Sequence, residues 1–145
     1  MVFTDVSRRD TSPGEDLIRT LADTIVRFER DNFHRTARRV RVHLVDDLIL
    51  LRLQGVLSPA ERSLAESREG QMLMRQLLVR EFDQVHELLI LRLNEVLGGQ
   101  RVRSVSVDLD PAADERLIIC RLDGPADPTA GAAPAGWKAG GHENR

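Results

Sequence analysis

The sequence predicts an α+β domain: helices on one face of a mainly antiparallel four-stranded sheet, in the order α-β-β-α-α-β-β. Three observations carry that expectation. Two Ser-Pro-x-Glu boxes open segments of helical period. Two pairs of short segments alternate apolar and polar residues, as half-buried strands do. Between the pairs, one long segment keeps an apolar stripe at helical spacing until Gly98-Gly99. Helices with one apolar face and a sheet with one apolar face bury both most simply by packing as two layers.

Taken in order, Ser12-Pro13-Gly14-Glu15 starts the first helix, with Ser at the N-cap, Pro at N1 and Glu at N3. It should run to about Asn32, burying Leu17, Ile18, Leu21, Ile25 and Phe28. A hairpin follows. Val40, Val42 and Leu44 alternate with Arg39, Arg41 and His43, and then Ile49, Leu51 and Leu53 alternate with Leu50, Arg52 and Gln54. Asp46-Asp47 occupies the turn. Gly55 ends the second strand, and Ser58-Pro59-Ala60-Glu61 opens a short helix from Pro59 to about Ser67. Gly70 is the expected hinge into the long helix, whose main stripe is Met74, Leu77, Leu78, Phe82, Val85, Leu89, Leu93 and Val96. A thinner stripe of Met72, Val79, His86, Ile90 and Leu97 lies on another face. One stripe suffices to pack on a sheet, so the second predicts a covering surface, that of a homodimer. The last hairpin places Val105, Val107 and Leu109 on one face against Ser104, Ser106 and Asp108. Its other strand sets Ile118, Cys120 and Leu122 against Leu117 and Ile119, and "PAADE" makes the loop.

The domain organisation that follows is a flexible polar segment over 1–12, one domain over 13–123, and a disordered Gly/Ala/Pro-rich tail over 124–145. At 145 residues there is room for one core. Aromatics are only 3%, so that core is aliphatic, and a stacking platform for single-stranded nucleic acid is disfavoured. A net charge of −2 gives no global attraction to nucleic acid or an anionic membrane. The longest wholly apolar runs, "LILL" and "LLIL", are far short of the roughly 20 residues a membrane helix needs. One cysteine, Cys120, excludes an internal disulfide and points to a reducing, cytoplasmic setting. The N-terminus lacks the apolar stretch of a secretory signal.

The candidate chemistry is sparse. Arg35, Arg38, Arg39 and Arg41 lie within seven residues, and guanidiniums so close can hold phosphate or carboxylate. This makes an anionic-ligand or nucleic-acid binding module the alternative function, although a charge run is usually a solvated face. His34, His43, His86 and His142 show no metal-ligand spacing. Asp108, Asp110, Asp114 and Glu115 bracket the last turn without a calcium-loop pattern, so no metal is expected. Cys120 sits in an apolar strand, as a structural thiol does. No nucleophile elbow, Walker loop or dinucleotide fingerprint is present. The expectation is a non-enzymatic protein without cofactor. An enzyme would need a pocket gathering distant groups such as His43, Arg52 and Asp108.

One stretch carries a resemblance. "VHLVDDLILLRLQGVLSPAERSLAESREGQMLMRQLLVREF", followed by "GGQRVRSVSVDLD" and "RLIICRLD", closely resembles the MpsC-like family over about residues 13 to 123. The family's usual Leu-Thr-Pro-Ala-Glu stands here as Leu57-Ser58-Pro59-Ala60-Glu61, and Ser is as good an N-cap as Thr. Where the family tends to be Gly-rich, between the first helix and first strand, this chain has "FHRTARRV", so backbone-mediated ligand contacts there do not carry over. The resemblance implies a link to a bacterial system that translocates cations, generates membrane potential and is associated with inorganic-carbon uptake. By analogy this chain would be its accessory or regulatory component, peripheral to the membrane through an integral transporter subunit.

Overall fold

The computed structural model describes residues 3–4 and 13–126. Its elements are β1 (Phe3–Thr4), α1 (Pro13–Phe33), β2 (Arg39–Val45), β3 (Leu48–Gln54), α2 (Pro59–Leu64), α3 (Arg68–Val96), β4 (Val102–Asp110) and β5 (Glu115–Leu122). Four antiparallel strands form the sheet in the order β2-β3-β5-β4, and the α+β class and element order are those expected from sequence. The two-residue β1 extends the sheet beside β2, in parallel. It lies in the N-terminal segment, for which no strand was expected. Ser12, the expected cap of α1, and the tail beyond Ala126 lie outside the described residues.

α1 and α3 lie side by side on one face of the sheet and share one core with it. Leu17, Leu21 and Ile25 of α1 meet Val40, Ile49, Leu51, Leu53 and Ile118 of the sheet, with Leu89 and Leu93 of α3 beside them. The two-residue alternation of each strand sends these side chains to one face and leaves the opposite face without an element packed on it among the described residues. The β2–β3 turn puts Asp46 at φ 53, where Asp is tolerated better than most residues. The carbonyls of Asp46 and Asp47 then accept from the amides of Ala126 and Leu122, tying the turn to the end of β5.

Three expectations about the helices change. α2 ends at Leu64, and α3 begins at Arg68 with Ser67 as its N-cap, the hydroxyl accepting from the Gly70 amide at 3.0 Å. Gly70 is therefore no hinge. It sits in the first turn of α3, where a Cβ would lie 1.7 Å from the Leu64 carbonyl oxygen. Leu77, assigned to the buried stripe, is 43% exposed, and Leu97, assigned to the outer stripe, has no exposed surface. Leu97 is the C-cap, and beyond it Gly98 at φ 68 turns the chain away, which swings Leu97 under the helix end.

Candidate functional site

The most unusual chemistry lies inside. Arg116, the second residue of β5, shares the alternation of Ile118, Cys120 and Leu122, so its side chain enters the core layer between Leu53 and Leu109 of the neighbouring strands. Glu29 follows Ile25 by one helical turn on the buried stripe of α1. The two meet: Arg116 Nη2 donates to Glu29 Oε1 at 2.8 Å, and neither side chain is more than 2% exposed. The guanidinium also lies 5.2 Å from the Phe33 ring centroid. Burial pushes the Glu29 carboxyl up to about 7, against the opposing pull of Arg116 and Arg35. Burial likewise lowers Arg116 from its ordinary value. Both charges sit at positions whose periodicity marks them as buried, and that opposite-sign coincidence was the sequence signal for the pair.

A second ionic cluster clamps three elements together just outside the core. Arg35 Nη1 and Nη2 donate to the two carboxylate oxygens of Glu61 on α2, at 2.7 and 3.2 Å. Its Nε and Nη2 donate to Glu81 on α3, at 3.2 and 3.1 Å. Burial disfavours the Arg35 charge, but the bonds to Glu61 and Glu81 outweigh it and raise its pKa, while the Arg35 bond lowers that of Glu61. Glu61 keeps its capping role as well, its Oε1 accepting from the Ser58 amide at 2.9 Å. Next to this clamp, Asp114 Oδ1 accepts from the amides of Val56 and Leu57 at 2.8 and 2.9 Å. Gly55, at φ 74, donates its amide to the Asp114 carbonyl. Its missing Cβ leaves space for Arg38, whose Nε would otherwise be 2.4 Å away.

The four arginines of the sequence cluster are therefore separated. Arg35 is withdrawn into the clamp, held by the partly buried carboxylates of Glu61 and Glu81. Arg38 is exposed and, with Arg39, lines a shallow depression completed by Gln54, Gly55 and Ala113. Arg39 and Arg41 project from β2 onto the helix-free sheet face, as does the exposed His43. A single four-arginine site is not assembled. Asp108 and Asp110 are exposed on β4, and Glu115 receives the guanidinium of Arg52. Asp114 alone of the four carboxylates is buried, where it organises backbone. Among the described residues, no group of three or more His, Cys, Asp or Glu is placed to hold a metal ion. Burial pushes the Cys120 thiol up to about 12, so it is protonated at neutral pH.

Of the outer stripe on α3, Val79 and Ile90 lean on the core, His86 is half-buried and stacks on Phe82, and only Met72 is fully open. The exposed apolar residues of α3 are instead Leu73 and Leu77, one turn apart near its start, and, beyond the exposed Arg80 and Gln84, Leu91; Leu64 of α2 is also exposed.

A family model described as "Na+-translocating membrane potential-generating system (MpsC)" matches residues 14–124. The chain belongs to the MpsC family. A Bacillus subtilis (strain 168) protein described as "Uncharacterized protein YbcI" is 28% identical over 105 residues, covering 70% of this chain and 82% of that one. No solved structure matches. The MpsC match begins in the first turn of α1 and ends just past β5, so it spans all three helices and all four long strands. No described helix of this MpsC protein is long and apolar enough to cross a membrane.

Proposed function

We propose that this MpsC protein is a non-catalytic accessory component of a Na+-translocating, membrane-potential-generating system, held at the membrane by a partner that carries the cation path. The family match over residues 14–124 carries this reading. Its chemistry supports it. The strongest polar constellations, Glu29–Arg116 and Arg35–Glu61–Glu81, are spent on joining elements, and the one thiol is buried and protonated. What remains outward is contact surface. Leu73 and Leu77 are 51% and 43% exposed one turn apart near the start of α3, with Leu64 of α2 also exposed, an apolar patch of the kind that marks protein–protein contacts. In this reading the Leu73–Leu77 patch seats the membrane partner, and the setting is cytoplasmic.

Sedimentation with membranes tests it. Vesicles from cells that make the whole system should retain the purified protein, and protein-free liposomes of the same lipids should not. Leu73→Glu/Leu77→Glu, at positions already open to water, should fold normally and lose retention by about tenfold or more. Equal retention on liposomes and native vesicles, or an unaffected variant, would refute the reading.

A further inference from the structure

The helix-free face of the sheet has a charge layout that the proposed function does not use. Registered across the strands β2-β3-β5-β4, its rows are Arg39-Gln54-Glu115-Asp110, Arg41-Arg52-Leu117-Asp108 and His43-Leu50-Ile119-Ser106. The next row places Leu48 beside Arg121. Leu48, Leu50, Leu117 and Ile119 form an aliphatic centre, each half-buried. Arg52 and Glu115 pair with each other on the face. Arg39 and Arg41, which also have interactions within the chain, give β2 a basic margin, Asp108 and Asp110 give β4 an acidic one, and the exposed Arg121 adds a positive charge beside the aliphatic centre.

We propose that this face binds a second copy of the same chain, sheet against sheet. The two margins select the symmetry. A two-fold axis running across the strands would stack β2 on β2 of the partner and oppose Arg41 to itself. An axis running along the strands stacks β2 on β4 of the partner. It sets Arg41 against Asp108, Arg39 against Asp110, and Leu50 against Ile119, each twice. Face-to-face sheets pack in this aligned manner about 10 Å apart, with their twist supplying a crossing near 30°. Arg39 and Arg41 also interact within the chain, and the pairing asks of them only their charge. The α3 stripe is the weaker candidate for the dimer, since Leu97 is core and Val79 and Ile90 already rest on the core.

The face is modest. Four strands about 4.8 Å apart and about seven residues long at about 3.4 Å each give roughly 450 Å² in plan. Stable interfaces bury about 800 Å² per partner, so the dimer should be reversible, with a Kd in the micromolar range.

Sedimentation velocity on the full chain, from about 1 µM to about 1 mM, reads the dissociation constant directly. Wild type should pass from monomer to dimer. Arg41→Asp and Asp108→Arg should each weaken the dimer by about tenfold or more, because each turns two attractions into repulsions. The double variant should recover affinity to within a few fold, which a merely structural effect of either change would not produce. Asp108 is exposed on an edge strand, so its variant keeps the test alive if Arg41→Asp folds poorly. A chain monomeric throughout overturns the proposal. So does a dimer indifferent to both reversals, one that the folded double variant fails to restore, or one dispersed instead by Val79→Glu.

Discussion

Arg116→Ala should destabilise the fold by about 3–5 kcal/mol, because it leaves the Glu29 carboxylate buried without its partner. Urea or thermal unfolding followed by circular dichroism measures this. The loss should depend on pH in a defined sense. Glu29 has a folded-state pKa of about 7, above its ordinary value of 4.5, because burial outweighs Arg116. The folded protein therefore keeps a proton that the unfolded chain releases, and wild-type stability falls as pH rises from about 4.5 through about 7. Without Arg116 the carboxyl moves higher still, so Arg116→Ala loses more at pH 8 than at pH 6. Glu29→Gln should flatten that slope. The paired change Glu29→Leu/Arg116→Met, which fills the space without charge, should be near neutral or stabilising, since desolvation of two ions offsets much of their attraction. Unchanged stability in Arg116→Ala would mean that the pair is not buried as described.

Gly70→Ala gives the second large effect, and its sign runs against helix propensity. In the first turn of a 29-residue helix, Ala would ordinarily stabilise by up to about 1 kcal/mol. Here the added Cβ falls 1.7 Å from the Leu64 carbonyl oxygen and 2.6 Å from its carbon, both backbone atoms that no rotamer change can move. The α2–α3 junction must open instead, disturbing the Ser67 cap and the bond from Gln71 Nε2 to the Ala65 carbonyl at 2.9 Å. A net loss of about 2–3 kcal/mol is expected. A variant as stable as wild type would show that the junction yields freely.

Most of the fold was legible because its signals are local. Strand alternation, the Ser58–Glu61 box and the Gly98 terminus each lie within a few residues of the structure they specify. What was not legible depends on distant neighbours. Gly70 looks like a hinge until Leu64 is placed against it. Leu97 looks like surface until the turn at Gly98 folds it inward. Arg35 looks like one of four equivalent arginines until Glu61 and Glu81, 26 and 46 residues further along, arrive from two other helices. Phe3–Thr4 carry too short a pattern to announce a strand and pair only because β2 presents an edge. The Glu29–Arg116 pair could have been found, since each residue stands at a buried position of its own period. Position in the pattern, rather than clustering along the chain, separated structural charge from surface charge.

The functional reading places the cation path in a partner and the work of this chain in surface contact. Membrane potential, followed with a potential-sensitive dye in cells that lack the chain, tests it most directly. The Na+-dependent potential should fall on removal and return with wild type and with the fold-preserving Glu29→Leu/Arg116→Met, but not with Leu73→Glu/Leu77→Glu. A potential that is unchanged by removal of the chain, or fully restored by the Leu73/Leu77 variant, would contradict it.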